Sequence, residues 1–121
     1  MKITLTRGFE GGGPTIQVML ERSRPDATMR VSIDGEVTSG SISYPDLKAL
    51  EAAIQGASIE MFPEGTFFGL ADSTTLTMES GTTNLAVHWA GPLPKNWAAV
   101  GPIVHELLSL ARTLQPSYAL R

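Results

Sequence analysis

His105-Glu106 is the pair in this chain whose residue types come nearest to a known catalytic motif. Zinc proteases hold their metal with two histidines four residues apart on one helix face and use the glutamate after the first as base. Position 109, one turn on, is Ser109, so the motif is incomplete. The other histidine, His88, alternates with Val87 and Trp89 and is expected to face away from the core. Two histidines with no converging carboxylates give no metal site. His105, at the border of an apolar stripe, is expected to be partly buried with one ring nitrogen satisfied.

Other chemistries fare no better. Gly11-Gly12-Gly13 could cradle a phosphate through backbone amides, but phosphate loops feed a helix N-terminus and often carry Gly-Lys-Ser/Thr. Here the run leads into the strand-like Ile16 to Leu20 and lacks the lysine. No serine sits in a Gly-x-Ser-x-Gly elbow, and no triad follows from two histidines and scattered carboxylates. Asp46 is explained by helix capping and Asp34 by a turn. The chain has no cysteine, which removes disulfides, thiolate metal sites and cysteine nucleophiles. The expectation is a non-enzymatic protein without cofactor or metal.

The elements that must position any site follow from periodicity. Val100, Ile103, Val104, Leu107, Leu108, Ala111 and Leu114 recur at helical spacing, a stripe that needs a partner surface. Pro102 is tolerated in a first turn, so this helix is expected to begin near Gly101, with Trp97 to Val100 as a short preceding turn; the alternative is one kinked helix starting at Asn96. Upstream, apolar and polar residues alternate: Ile3 and Leu5; Ile16, Val18 and Leu20; Met29, Val31 and Ile33; then a weakly apolar segment from Glu36 to Ile42, read as an edge strand. Asp34-Gly35 predicts a tight hairpin turn. Ser43-Tyr44-Pro45-Asp46 predicts a capped helix start, with Leu47, Leu50, Ala53 and Ile54 inward and Gly56 at the end. A last hairpin pairs Thr74–Glu79 with Thr82–Ala90 across Ser80-Gly81. The prediction is one α+β domain over 1–121: a mainly antiparallel sheet of about six strands with two helices packed against it, in the order ββββαββα.

Between these elements lie Arg7 to Pro14, read as a glycine-rich loop, and Ala57 to Asp72, read as an irregular packed segment. The second holds Phe62, Phe67 and Phe68, which either plug one end of the core or line a pocket for a small ligand.

The chain has 121 residues and a net charge of -3, which gives no reason to expect a polyanionic partner. Lys2, Arg7, Arg22, Arg24 and Arg30 fall early, and from Asp34 to Glu79 the acidic residues face only Lys48. Without a basic stripe interleaved with aromatics, nucleic-acid binding is not expected. No segment is long enough to span a bilayer, and the start alternates rather than carrying a signal peptide's apolar run, so a cytoplasmic, soluble protein is expected.

Arg7-Gly8-Phe9-Glu10-Gly11 after the first strand, Phe67-Phe68-Gly69-Leu70 after the first helix, and His88-Trp89-Ala90-Gly91-Pro92 before the last helix form a layout that resembles the emfourin-like family. These are small bacterial protein inhibitors of protealysin-like, thermolysin-family metalloproteases. The chain departs from the family pattern at Arg7-Gly8, where the family has paired glycines, and at Arg22 to Asp26. The resemblance implies a metalloprotease partner whose substrate cleft is blocked sterically by loops; loop composition and layout make Arg7, Gly8, Phe9, Glu10 and Gly11 the candidate contact, with Phe9 as apolar anchor and Glu10 as polar contact. The alternative is an assembly protein that self-associates through an edge strand or through exposed aromatics such as Tyr44 and Trp97.

Overall fold

The structure, a computed structural model, describes residues 1–8, 14–22, 26–57, 73–80, 83–93 and 95–120. The alternating segments form β1 (Lys2–Gly8), β2 (Ile16–Arg22), β3 (Ala27–Ile33), β4 (Glu36–Ile42), β5 (Ser73–Ser80) and β6 (Thr83–Ala90). They make one six-stranded antiparallel sheet in the order β4-β3-β2-β1-β5-β6. Two helices, α1 (Tyr44–Gln55) and α2 (Val100–Leu114), complete the expected α+β order ββββαββα. The first strand is thus an inner strand. The β5–β6 hairpin, which follows α1 in sequence, closes on the flank of β1 that β2 leaves free.

Period-two alternation sorts the side chains onto two faces. Ile3, Leu5, Ile16, Val18, Leu20, Met29, Val31, Leu76, Val87 and Trp89 are buried on the helix-covered face. Ile33 and Met78 pack against this core at partial exposure. The opposite face carries Thr4, Thr6, Gln17, Met19, Thr28, Arg30, Ser39, Thr75, Thr77 and His88, at intermediate or full exposure. This is the pattern of an antiparallel sheet covered on one side.

The six residues of the α2 stripe from Val100 to Ala111 are buried, while Leu114 is partly exposed. Proline 102 lies in the first turn, where its missing N–H is not needed. The preceding 3-10 turn, Lys95–Trp97, runs into the helix through Ala98 N–H to Lys95 O (3.1 Å) and Gly101 N–H to Ala98 O (3.1 Å). Trp97 packs against the core and is therefore not the exposed aromatic expected from the sequence. At the other end of α2, Leu114 lies on Gly40 so closely that a Cβ at position 40 would overlap Leu114 Cδ1. The glycine that makes β4 weakly apolar is what lets the helix approach the edge strand.

The start of α1 differs in detail from the predicted capping box. Ser43 Oγ donates to Asp46 Oδ2 (2.9 Å) instead of accepting from the backbone, and Asp46 N–H goes to Ser43 O (3.0 Å). The capping carboxylate comes from outside the helix: Asp26 Oδ1 accepts the Tyr44 N–H at 3.0 Å. At the far end Gly56 N–H bonds Ala52 O (3.0 Å) with right-handed φ of -83°, so glycine's left-handed freedom is not used there. Arg22, at the end of β2, pairs with Glu51, and its guanidinium stands 5.5 Å from the centroid of the Tyr44 ring. Removing the Asp26 carboxylate leaves a helix N-terminus without its side-chain acceptor. Asp26→Ala is expected to lower stability by about 1 kcal/mol in urea unfolding, with Asp26→Asn close to wild type.

Two further expectations are corrected. His105 is exposed, because it falls beside the stripe rather than within it. The hairpin turn moves by one residue: Ser80 pairs with Thr83 as a strand residue, leaving 81–82 as the connection, and these lie outside the described residues. Phe62, Phe67 and Phe68 lie outside them as well. The acidic residues that are described do not form one face: Glu51 pairs with Arg22, Asp46 sits at the start of α1, and Asp34 and Glu79 occupy opposite ends of the sheet. Among the described residues no helix is long and apolar enough to cross a membrane.

Candidate functional site

Strand register gathers three distant stretches of sequence at one end of the sheet. Gly8 pairs with Ser73, Ser73 with Ala90, Arg7 with Ile16, and Ile16 with Ile33. The segment 9–13 therefore leaves the sheet at Gly8 next to the point where the segment 58–72 returns at Ser73. The chain after Ala90 leaves beside Ser73, on the side away from Gly8, turning at Gly91 with φ of 69°. At about 4.8 Å per strand, the roots from β3 to β6 span roughly 19 Å. Of the stretches that carry the family resemblance, Arg7-Gly8 and Ala90-Gly91 lie at this end of the sheet, and Phe67 to Leu70 fall outside the described residues.

Arg7 and Gly8 are strand residues and not loop residues, because β1 continues pairing with β5 through Gly8. Arg7 lies on the same face as Ile3 and Leu5 and is half-buried, across from Thr74, which is 6 % exposed and the one buried polar residue among those described. Phe9, Glu10 and Gly11 fall outside the described residues.

The return of the glycine-rich segment is clamped to the β3–β4 turn. Thr15 N–H donates to Asp34 Oδ1 (2.7 Å), and Asp34 N–H donates to Thr15 O (2.9 Å). Asp34 has φ of 50° and Gly35 φ of 87°, the left-handed pair that a two-residue hairpin of this twist requires. Aspartate suits this position twice over, since it tolerates the left-handed region and presents an acceptor to the neighbouring connection. The turn was legible from Asp34-Gly35, whereas the clamp was not, because it depends on β2 lying beside β3 in this register. Asp34→Ala loses the acceptor and adds backbone strain, and is expected to cost about 2 kcal/mol in urea unfolding. Asp34→Gly should recover the strain part only, and Asp34→Asn most of both.

His88 lies on the open face, where Thr75 Oγ1 and His88 Nδ1 are 2.7 Å apart, and His105 lies on α2 across the sheet. The two histidines are thus held on opposite sides of the sheet. Among the described residues no group of three or more His, Asp or Glu side chains could hold a metal ion. Elsewhere, an open cavity of about 340 Å³ lies between Arg112, Pro116, Ser117 and Tyr118. Its guanidinium is engaged, Arg112 Nη1 donating to Leu120 O at 2.7 Å. No protein-family model matches this chain, and no curated protein is significantly similar to it.

Proposed function

We propose that this chain is a non-enzymatic protein-binding module, acting as an emfourin-like inhibitor that fills the substrate cleft of a thermolysin-family metalloprotease. The observation that carries this reading is the pairing of Gly8 with Ser73, which roots the glycine-rich segment and the return of the phenylalanine-rich segment on adjacent strands. A protease cleft is a concave groove that accepts an extended, partly apolar chain. Segments rooted on adjacent strands of one sheet suit that demand, since fixed roots reduce the entropy lost when the contact forms.

In this reading Phe9 enters an apolar subsite, Glu10 makes a polar contact at its rim, and Arg7 and Gly8 hold the segment's origin in the sheet. The Asp34–Thr15 clamp holds its return. No bond is made or broken; the protease loses activity because its cleft is occupied.

The test is titration of the purified chain into a thermolysin-family protease, preferably one from the same organism, with peptide hydrolysis as readout. Loss of activity at one-to-one stoichiometry with the added chain left uncleaved is the expected result. Full activity of the cognate enzyme, or cleavage of the chain as a substrate, overturns the reading.

A further inference from the structure

The strand β4 closes one side of the sheet, and its hydrogen-bonding phase can be worked out. In a two-residue hairpin the residues flanking the turn exchange both backbone bonds, so Ile33 and Glu36 form a bonded pair, and Thr38, Gly40 and Ile42 likewise turn toward β3. Two bonds beyond the hairpin agree with this phase: Asp34 N–H to Thr15 O and Arg22 N–H to Met1 O, each 2.9 Å. Val37, Ser39 and Ser41 therefore point their N–H and C=O groups away from the sheet, and all three residues are exposed.

Edge strands are normally guarded by lysine, proline, a bulge or an inward charge. The only charge on β4 is Glu36, its first residue, on the same face as Thr38 and Gly40; from Val37 to Ile42 there is no lysine, proline, bulge or charge, and the strand pairs with β3 residue for residue. Of the exposed large apolar side chains among the described residues, Val37 (57 %) lies on β4 and Tyr44 (40 %) just after it, and none lies on β6, the other edge.

We propose that β4 is a self-association edge, at which two copies pair antiparallel about a two-fold axis through Ser39 and continue the sheet from one protomer into its partner. In that register Ser39 meets Ser39 of the second copy, and Val37 meets Ser41 in both directions. It is the register in which all the outward groups of β4 are paired; a shift of two residues leaves some unpaired. It is also self-complementary, as a two-fold interface must be. Glu36 lies across from Ile42 of the second copy, so no like charges of β4 oppose one another. The strand ends match, with the Asp34–Gly35 turn of each copy beside the start of α1 in the other. Both helical layers fall on the same side, and Leu114, seated on Gly40, lies next to the seam in each copy. Such a contact is small, so the dimer is expected at about micromolar concentrations and above. It is independent of the inhibitor reading.

Sedimentation or light scattering from about 1 to about 500 μM is expected to show the mass rising toward twice the 12.9 kDa of the chain. Ser39→Pro removes an N–H that the β3–β4 ladder does not use, so it should abolish the dimer and leave the fold intact by circular dichroism. Ser39→Lys should do the same, by placing like charges face to face on the axis with Arg30 alongside on β3. Mixed with Ser39→Glu it should form a heterodimer, with association restored at least tenfold over either variant alone. If the proline variant does not fold, the lysine and glutamate variants decide. A wild-type chain that stays monomeric over the whole range overturns the proposal. So does a dimer that survives Ser39→Lys, a Lys/Glu mixture that fails to associate, or a dimer broken instead by Ala86→Pro on β6.

Discussion

Leu107→Ala is expected to lower the free energy of unfolding by about 3 kcal/mol, within the range of about 2 to 5 kcal/mol for buried leucine truncations. Leu107 is fully buried at the middle of the α2 stripe, and α2 touches α1, β2, β3 and β4. Truncation at this position removes apolar surface that has no substitute and leaves a cavity between helix and sheet, neither of which can collapse without disturbing the other. Against a typical total stability of about 5 to 15 kcal/mol the loss is large. Thr113→Ala supplies the control on the same helix. Thr113 is exposed and its hydroxyl donates to Leu110 O within the helix (2.6 Å), so the change should stay within about 0.5 kcal/mol. Urea unfolding followed by circular dichroism measures both. A loss below about 1 kcal/mol for Leu107→Ala would mean that α2 does not carry the core.

Phe9→Ala is the second large effect, and it is read in binding. In the inhibitor reading Phe9 is the apolar anchor of the glycine-rich segment, and truncating an interface anchor costs about 2 kcal/mol or more, a rise of roughly thirtyfold in the inhibition constant. The fold should be untouched, because β1 and β2 pair through Arg7 and Ile16 irrespective of the side chain at position 9. Tight-binding titration against the cognate protease, beside an unfolding curve for each protein, separates the two quantities. An unchanged inhibition constant removes Phe9 from the contact. Asp34→Ala offers a contrast: it loosens the root of the same segment and should weaken inhibition mainly through faster dissociation, with a measurable loss of stability as well.

Local rules sufficed for the elements of this protein. Alternation at Ile16, Val18 and Leu20 and at Met29, Val31 and Ile33 set the strands and their buried face, since side chains on a pleated backbone alternate whatever the neighbours are. The helical stripe set α2, and Asp34-Gly35 set the turn. The weak apolarity of Glu36 to Ile42 marked an edge strand, which β4 is. The absence of cysteine and the missing second histidine at Ser109 were equally plain from the residues.

The tertiary structure decided what those elements bring together. Nothing in residues 2–8 shows that β1 will have β5 on its second side, because pairing partners far apart in sequence are chosen by the packing of the whole sheet. Yet that choice places Gly8 beside Ser73, and with it the origin of one segment beside the return of another. The same holds for the Asp26 carboxylate that caps α1, for the Asp34–Thr15 clamp, and for the Gly40–Leu114 approach. Each joins residues from different elements. Helix, strand and turn were legible because their causes lie within a few residues of one another; the candidate site was not, because its residues become neighbours only through strand order and register.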